Sequence, residues 1–265
     1  MNKIDLIIPC YNIEEYLPAL FHSLDLQTLN KKYYNIIFIN DGSTDKTFSL
    51  LEKYSNKKNN VILINKKNEG VGIARQTGMN SGDSEYVLFM DPDDFIHKKY
   101  LETWWKSIDG TDLTVSDWFL CSKKTKFGTK FPLIDKFKYF FIIGFGIFKV
   151  GPRIAGTQNK MWRKEAIKDI KWRSFKKAQD NVFYYECLSK IKTIKKIGRG
   201  TSYYYRDMRV GSVNDRAKTD TSLIKSDDEA RRFSYKILKS TKSINPKINK
   251  LIKKEFLYRK KQLGE

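Results

Sequence analysis

The sequence predicts an α/β protein with a mostly parallel sheet flanked by helices and a helical, basic C-terminal segment. Three observations carry that expectation. Between residues 3 and 95, short β-branched runs alternate with longer runs of helical period, as strand-helix-strand units do. Each of four strand-like runs is followed by polar or turn-forming residues: Pro9-Cys10-Tyr11-Asn12, Asn40-Asp41-Gly42-Ser43, Asn68-Glu69-Gly70 and Asp91-Pro92-Asp93-Asp94. From about Thr221 the pattern is helical and rich in lysine, interrupted at Asn245-Pro246. In an open α/β sheet the ligand crevice lies outside the carboxyl ends of the strands, so the four loops are expected to converge on one site.

Taken in order, KIDLIIPCYN reads as the first strand, and EEYLPALFHSLDLQ as an amphipathic helix with Leu17, Leu20, Phe21 and Leu24 on one face. YNIIFIND is the second strand. Ser43-Thr44-Asp45 is a capping-type opening to a helix through STDKTFSLLEKYS, and NVILINKK is the third strand. GVGIARQTGMNSG reads as a third helix ending near Gly82, and SEYVLFMD as the fourth strand. Further on, HKKYLETWWKSI reads as a helix, LTVSDWFLCS as one strand, QNKMWRKEAIKDI and AQDNVFYYECLSKI as helices, and TSYYYRD as a strand. Residues 123 to 157 give no readable pattern, although the aromatic run from Phe140 to Phe148 suits burial.

Composition narrows the function classes. A chain of 265 residues with 40% hydrophobic content can bury a core. A formal charge of +21, from 51 Lys and Arg against 30 Asp and Glu, attracts anions without choosing among them. Cys10, Cys121 and Cys187 form no C-x-x-C pair, and His22 and His97 are the only histidines, which argues against a disulfide framework or a zinc knuckle. The cysteine usage and the strand-like N-terminus lead to the expectation of a cytoplasmic protein. The apolar run Phe140–Phe148 is far short of the ~20 residues a membrane-spanning helix needs. Gly70-Val71-Gly72 begins a dinucleotide fingerprint but has Arg75 at the third glycine and follows the third strand, and no P-loop occurs.

Asp91, Asp93 and Asp94 have two readings. Asp-Pro-Asp is ordinary turn chemistry. At the end of a strand, however, alternate carboxylates can hold a divalent cation that neutralises a nucleotide's diphosphate, and hard oxygen ligands without nearby His or Cys select Mg or Mn.

IIPCYNIEEYLPALFHSLDLQT, FINDGSTDKT, NEGVGIARQTGM and YVLFMDPDDFI together resemble the nucleotide-sugar-binding half of inverting family 2 glycosyltransferases, whose fold is the Rossmann-like GT-A type. GTQNKMWRKEAI looks like the family's Asn-Lys-Leu-Tyr segment, with Met161-Trp162 in place of Leu-Tyr. The resemblance implies a glycosyltransferase domain over residues 1–215, with 1–95 binding the donor and 96–215 facing the acceptor; residues 216–265 resemble nothing in the family and read, from period and composition, as a basic helical segment. It implies that Pro9 and Tyr11 shape the nucleoside pocket, that Asp41 hydrogen-bonds the base, and that Asn68 and Arg75 lie near the base and diphosphate. Asp91 would face the ribose or sugar, Asp93 would ligate Mn or Mg directly with Asp91 beside it, and Asp94 would support the turn. Similar enzymes often carry an acidic pair where this chain has Gln179-Asp180, so the resemblance makes Asp180 the base that deprotonates the acceptor hydroxyl. Without it, Asp180 reads as a helix cap. Similar enzymes often show an aromatic-Arg segment near the active site, so the resemblance makes Arg206, after Tyr203-Tyr204-Tyr205, a further candidate for closing over the donor, while the tyrosines by themselves read as core packing.

The resemblance thus implies transfer of a hexose or N-acetylhexosamine from a UDP-sugar to a hydroxyl of a glycan, lipid-linked or glycoprotein acceptor in cell-surface polysaccharide or glycoconjugate synthesis. Two other classes compete. The missing second acid keeps open a catalytically silent partner subunit. The charge suggests a nucleic-acid binder, but no binding module is present and the acidic cluster would repel a phosphate backbone. The lysine-rich tail reads as a solvated helix face or as a peripheral contact with an anionic membrane.

Overall fold

In the computed structural model of the protein, residues 4–116, 118–121, 142–144, 156–197, 204–207 and 219–264 are described. The first four units form as read. Strands β1 (Ile4–Cys10), β2 (Tyr34–Asp41), β3 (Val61–Lys66) and β4 (Tyr86–Phe89) alternate with helices α1 (Leu17–Asp25), α2 (Thr47–Ser55) and α3 (Val71–Ser81). β1 lies between β2 and β4 and is parallel to both, and β3 continues the parallel run from β2. Every residue of β1 and β2 is buried, which is why their sequences run unbroken through Ile, Leu and Phe, whereas β3 at the edge is partly exposed.

Successive side chains serve opposite layers. Ile7, Ile37 and Ile39 face one core with Val87 and Phe89, while Leu6, Ile8, Ile36 and Phe38 face the other with Leu17, Leu20 and Leu51 of α1 and α2. α3 lies close on the sheet because Gly78 has no Cβ: one placed there would stand 2.5 Å from Ile7 Cγ2.

After β4 come a short strand β5 (Phe95–Ile96), helix α4 (Tyr100–Lys106), strands β6 (Leu113–Val115), β7 (Trp118–Cys121), β8 (Ile142–Gly144) and β9 (Lys160–Arg163), helices α5 (Lys164–Ile167) and α6 (Gln179–Leu188), and strands β10 (Ile194–Lys196) and β11 (Tyr204–Asp207). Helices α7 (Thr221–Ser240) and α8 (Pro246–Gln262) end the described chain. The main sheet has seven strands in the order β10-β6-β9-β4-β1-β2-β3, and β5-β11-β7-β8 form a second sheet.

Three expectations are corrected. LTVSDWFLCS is two strands in different sheets, because the chain leaves the main sheet after Val115. QNKMWRKEAIKDI is not one helix: Lys160–Arg163 is a strand antiparallel to both β4 and β6, and only Lys164–Ile167 is helical. The local pattern cannot report that a gap between two strands is waiting for Met161 and Trp162. Ser43 and Thr44 do not open α2, which starts at Thr47 after an N-cap, Lys46, without a side-chain hydrogen bond.

The C-terminal helices form as read. Asn245 caps α8 by accepting from Lys247 N and Ile248 N, with Pro246 in the first turn, where its missing N–H costs nothing. Both helices pack on α6, and Leu238, Ile248, Leu251 and Ile252 join the same core as Ile7 and Phe183. Most of Phe140–Phe148, and the side chains of Tyr203, Tyr204, Tyr205 and Arg206, lie outside the described residues.

Candidate active site

The predicted loops do meet on the carboxyl rim of the main sheet. The loops after β1 and β2 are stitched together by the polar residues expected to cap α2. Asn12, at φ 48°, donates its backbone N–H to Ser43 Oγ at 3.1 Å and accepts from Thr44 N at 2.8 Å. Asp45 accepts from Glu14 N at 3.2 Å and Thr47 N at 2.9 Å; burial pulls its carboxyl up, yet these hydrogen bonds hold it below its ordinary range. Pro9 is buried at the end of β1, and Tyr11 beyond it is exposed.

Asp41 ends β2 and is buried. Its carboxylate accepts from Glu69 N at 3.0 Å, Gly70 N at 2.8 Å and Lys66 Nζ at 3.0 Å, so it ties the second loop to the third. Gly42, at φ 71°, permits this approach, since a Cβ there would stand 2.6 Å from the backbone nitrogen of the exposed Asn68. Beside this junction an open crevice of about 450 Å³ is lined by Asn40, Ser43, Phe48, Asn65 and Lys66.

The acidic turn follows β4. Asp94 is buried and donates its backbone N–H to the Asp91 carbonyl at 3.2 Å, as expected of a turn-supporting residue. Each of Asp91, Asp93 and Asp94 offers a carboxylate oxygen, and these oxygens lie within 4.8 Å of one another, a donor set of hard oxygens that fits Mg or Mn. Arg75 comes from α3 and pairs with Asp91 Oδ1 at 2.7 Å, its guanidinium 4.9 Å from the centre of the Trp172 ring. Among the described residues, Arg75 Nε and Nη1 are buried without a hydrogen-bond partner. A buried cation with two spare donors beside an acidic turn is suited to a phosphate group.

Two chain segments that the first ninety-five residues do not contain complete the rim. Gln158, just before β9, donates its amide to Asp91 Oδ2 at 2.6 Å, so both oxygens of Asp91 are engaged. Asp180 lies in the first turn of α6. It is not the cap: Ala178 is, at φ 59°, and Asp180 Oδ1 accepts only from its neighbour Asn181 N among the described bonds. A Cβ on Gly156 would stand 2.9 Å from Gln158 Oε1 and 3.6 Å from Asp180 Oδ2, so the segment holding Asp91 on one side faces Asp180 on the other. Gln179, in the place of the second acid, is buried with its Cγ 3.6 Å from where a Gly72 Cβ would be, a packed position in which a carboxylate would lose its hydration.

Lys160 and Glu255 escaped the reading of the sequence. Lys160, on β9, is only 7% exposed; its Nζ donates to the Gln158 carbonyl at 3.3 Å and lies 5.3 Å from the Tyr184 ring centre. Burial pushes its pKa down to about 8, partly opposed by the charges of Asp180 and Glu255. Glu255, fully buried on α8, accepts from Tyr185 OH at 2.6 Å, and Arg259 approaches the same hydroxyl at 3.3 Å. The Asn159-Lys160 pair of the family-like segment was a signal for Lys160. Nothing local marked Glu255, one acid in a run of lysines.

A family profile, Glycosyl transferase family 2, matches residues 5–171. Among curated proteins, the chain is 38% identical over 107 residues to glycosyltransferase GlyA of Streptococcus pneumoniae, covering 40% of this chain and 15% of that one. It is 37% identical over 103 residues to the poly(ribitol-phosphate) β-N-acetylglucosaminyltransferase TarS of Staphylococcus aureus, covering 38% and 18%. With the poly(ribitol-phosphate) β-glucosyltransferase of Bacillus spizizenii it shares 29% identity over 220 residues, 79% of this chain and 33% of the relative. The matches thus span a third or less of these relatives. Among solved structures, S. aureus TarS 1–349 in complex with UDP-GlcNAc superposes with a TM-score of 0.73 at 23% identity, over 98% of this chain and 73% of that one. A mannosyltransferase from Pyrobaculum calidifontis in complex with GDP-Man and Mn2+ gives 0.62 at 12% identity, over 96% and 69%. The relatives are glycosyltransferases, and the likeness of the structures establishes a shared fold.

Proposed function

The chain belongs to glycosyl transferase family 2 and has the GT-A fold, and from that premise we propose that it is an inverting, metal-dependent glycosyltransferase. Its donor is a UDP-sugar and its acceptor a hydroxyl of a glycan or lipid-linked cell-surface polymer. The relatives named for poly(ribitol-phosphate) and a charge of +21 support an anionic polymer as the acceptor class. Buried free Cys10 and Cys187 support a reducing, cytoplasmic setting.

One observation carries the reading: the Arg75–Asp91 pair, with Asp93 on the same turn, is bonded to Gln158, and Gly156 beside Gln158 lies next to the Asp180 carboxylate. In this proposal Asp93, with Asp91 beside it, holds Mn or Mg, which when bound offsets the diphosphate's negative charge. Arg75 directs its spare donors at the departing diphosphate, where charge accumulates. Pro9, Tyr11 and Asn68 border the nucleoside. Asp41 fixes the loops around it and offers the base its remaining acceptor capacity. Asp180 takes the proton of the acceptor hydroxyl as that oxygen bonds to the anomeric carbon and the bond from that carbon to the diphosphate breaks. Displacement from the opposite face inverts the anomeric configuration, so an α-linked donor gives a β-linked product.

The test is titration calorimetry with UDP-, GDP- and dTDP-sugars, with and without Mn, followed by a transfer assay with the sugar that binds. Asp93→Ala is expected to abolish the Mn-dependent part of donor binding. Asp180→Ala should keep donor binding and lower transfer by about 10²–10⁴-fold. Unchanged turnover in Asp180→Ala would remove the base assignment, and donor binding indifferent to Mn in the wild type would remove the metal.

A further inference from the structure

The outer face of the C-terminal hairpin has no role in this chemistry, and its composition is one-sided. α8 turns Ile248, Leu251, Ile252, Glu255 and Arg259 inward against α6 and α7. Lys247, Lys250, Lys254, Leu257 and Lys261 follow at spacings of three and four, which at 3.6 residues per turn puts them within an arc of about 80° on the opposite side. All nine lysines between residues 231 and 264 are exposed, and the only acid in that span, Glu255, is buried. The acids of α7, Asp227, Asp228 and Glu229, lie in its first half, where Asp227 and Asp228 pair with Arg231 and Arg232, so the rest of the hairpin has no exposed counter-charge of its own. Two large apolar side chains are exposed in the same segment: Ile244, 88% exposed in the turn that precedes Lys247, and Leu257, 55% exposed in the lysine stripe.

We propose that this face rests on an anionic lipid surface, the lysines against the headgroups and Ile244 and Leu257 entering the boundary beneath them. A soluble polyanion would satisfy the lysines and leave the two apolar side chains in water; a lipid leaflet satisfies both. The contact is peripheral, since among the described residues no helix is long and apolar enough to cross a membrane. Each lysine near an anionic leaflet strengthens attachment about fivefold, and the effect fades beyond a Debye length of about 8 Å in physiological salt. Because α8 is locked to α6 through the Tyr185–Glu255 bond and their shared core, attachment here holds the helix bearing Asp180 at a fixed height above the leaflet. The inference stands on the surface alone and does not depend on Asp180 being the base.

The experiment is co-sedimentation of the full chain with phosphatidylcholine vesicles and with vesicles containing about three-tenths phosphatidylglycerol, at roughly 0.15 M salt. Two variants accompany it: K247Q/K250Q/K254Q/K261Q and I244S/L257S, all at exposed positions and checked for an unchanged thermal midpoint. The wild type is expected to partition at least about tenfold better onto the anionic vesicles. The glutamine set should lose at least about tenfold, and the serine pair about threefold at constant charge. Equal partition of the wild type onto both vesicles, or no loss in the glutamine set, overturns the proposal. So does a serine pair indistinguishable from wild type, most directly if inorganic polyphosphate then displaces the protein from the vesicles, which would assign the face to a soluble polyanion.

Discussion

The two ends of the central strands hold the same kind of residue in opposite conditions. Near the amino end, Asp5 is wholly buried but satisfied: it accepts from Asn35 Nδ2 at 3.1 Å and Ser84 N at 3.2 Å and has Lys164 Nζ at 3.5 Å. At the carboxyl end, Asp91 is paired as well, yet two buried donors of its partner Arg75 find no acceptor among the described residues. A closed network contributes to folding; the proposed function assigns the open one at the sheet's carboxyl rim to a ligand.

Substitutions can break or sharpen this contrast. Asp5→Ala should have the largest effect on stability, about 3–5 kcal/mol by urea denaturation, because it takes the acceptor from the buried Asn35 amide and Ser84 N–H and the ion-pair partner from Lys164, which keeps only its bond to the Gly82 carbonyl, while UDP affinity of the folded fraction stays unchanged. A loss of nucleotide binding larger than the loss of folded protein would dissolve the distinction.

Next comes Lys160→Met. A lysine whose folded pKa is about 8, against about 10.4 unfolded, binds fewer protons in the native state between those values. The wild type should therefore gain stability as pH rises from about 8 to about 10.4, on the order of 3 kcal/mol, a gain absent in the variant. Parallel stability curves for the two proteins would show that Lys160 carries no such strain.

Arg75→Met should change stability modestly but weaken UDP binding in the presence of Mn by about 10–100-fold, as expected for one lost charged hydrogen-bonding group. Equal affinity would make Arg75 the structural twin of Asp5. The smallest effect is expected for Asp45→Ala, about 1 kcal/mol, since it only unpins Glu14 and Thr47 between two loops. Because the folded pKa of Asp45 is lowered, its contribution should vanish as pH falls through the acid range, and a wild-type-to-variant difference that persisted there would contradict it.

Much of this was legible in the chain. Ile4–Cys10 and Tyr34–Asp41 announce buried parallel strands because both faces are covered and every residue can be apolar. The acidic turn falls where the fourth strand ends, and local chemistry placed it there. The reading failed where the neighbour lies far along the chain. Lys160–Arg163 has the composition of a helix start, and only the gap between β4 and β6 makes it a strand. Ser43 and Thr44 look like caps until the loop at Asn12 claims them.

From the residues alone came the alternation of strands and helices, the edge on which the polar loops gather, and the surplus of positive charge, since each is written in local period or in counts. Which carboxylates stand near one another, that Gln158 reaches Asp91, and that Glu255 closes a buried network behind Asp180's helix were settled only by folding. A side chain's charge environment depends on partners far along the chain, as Lys164 is from Asp5 and Glu255 from Lys160, and no local pattern records which of them burial will bring close.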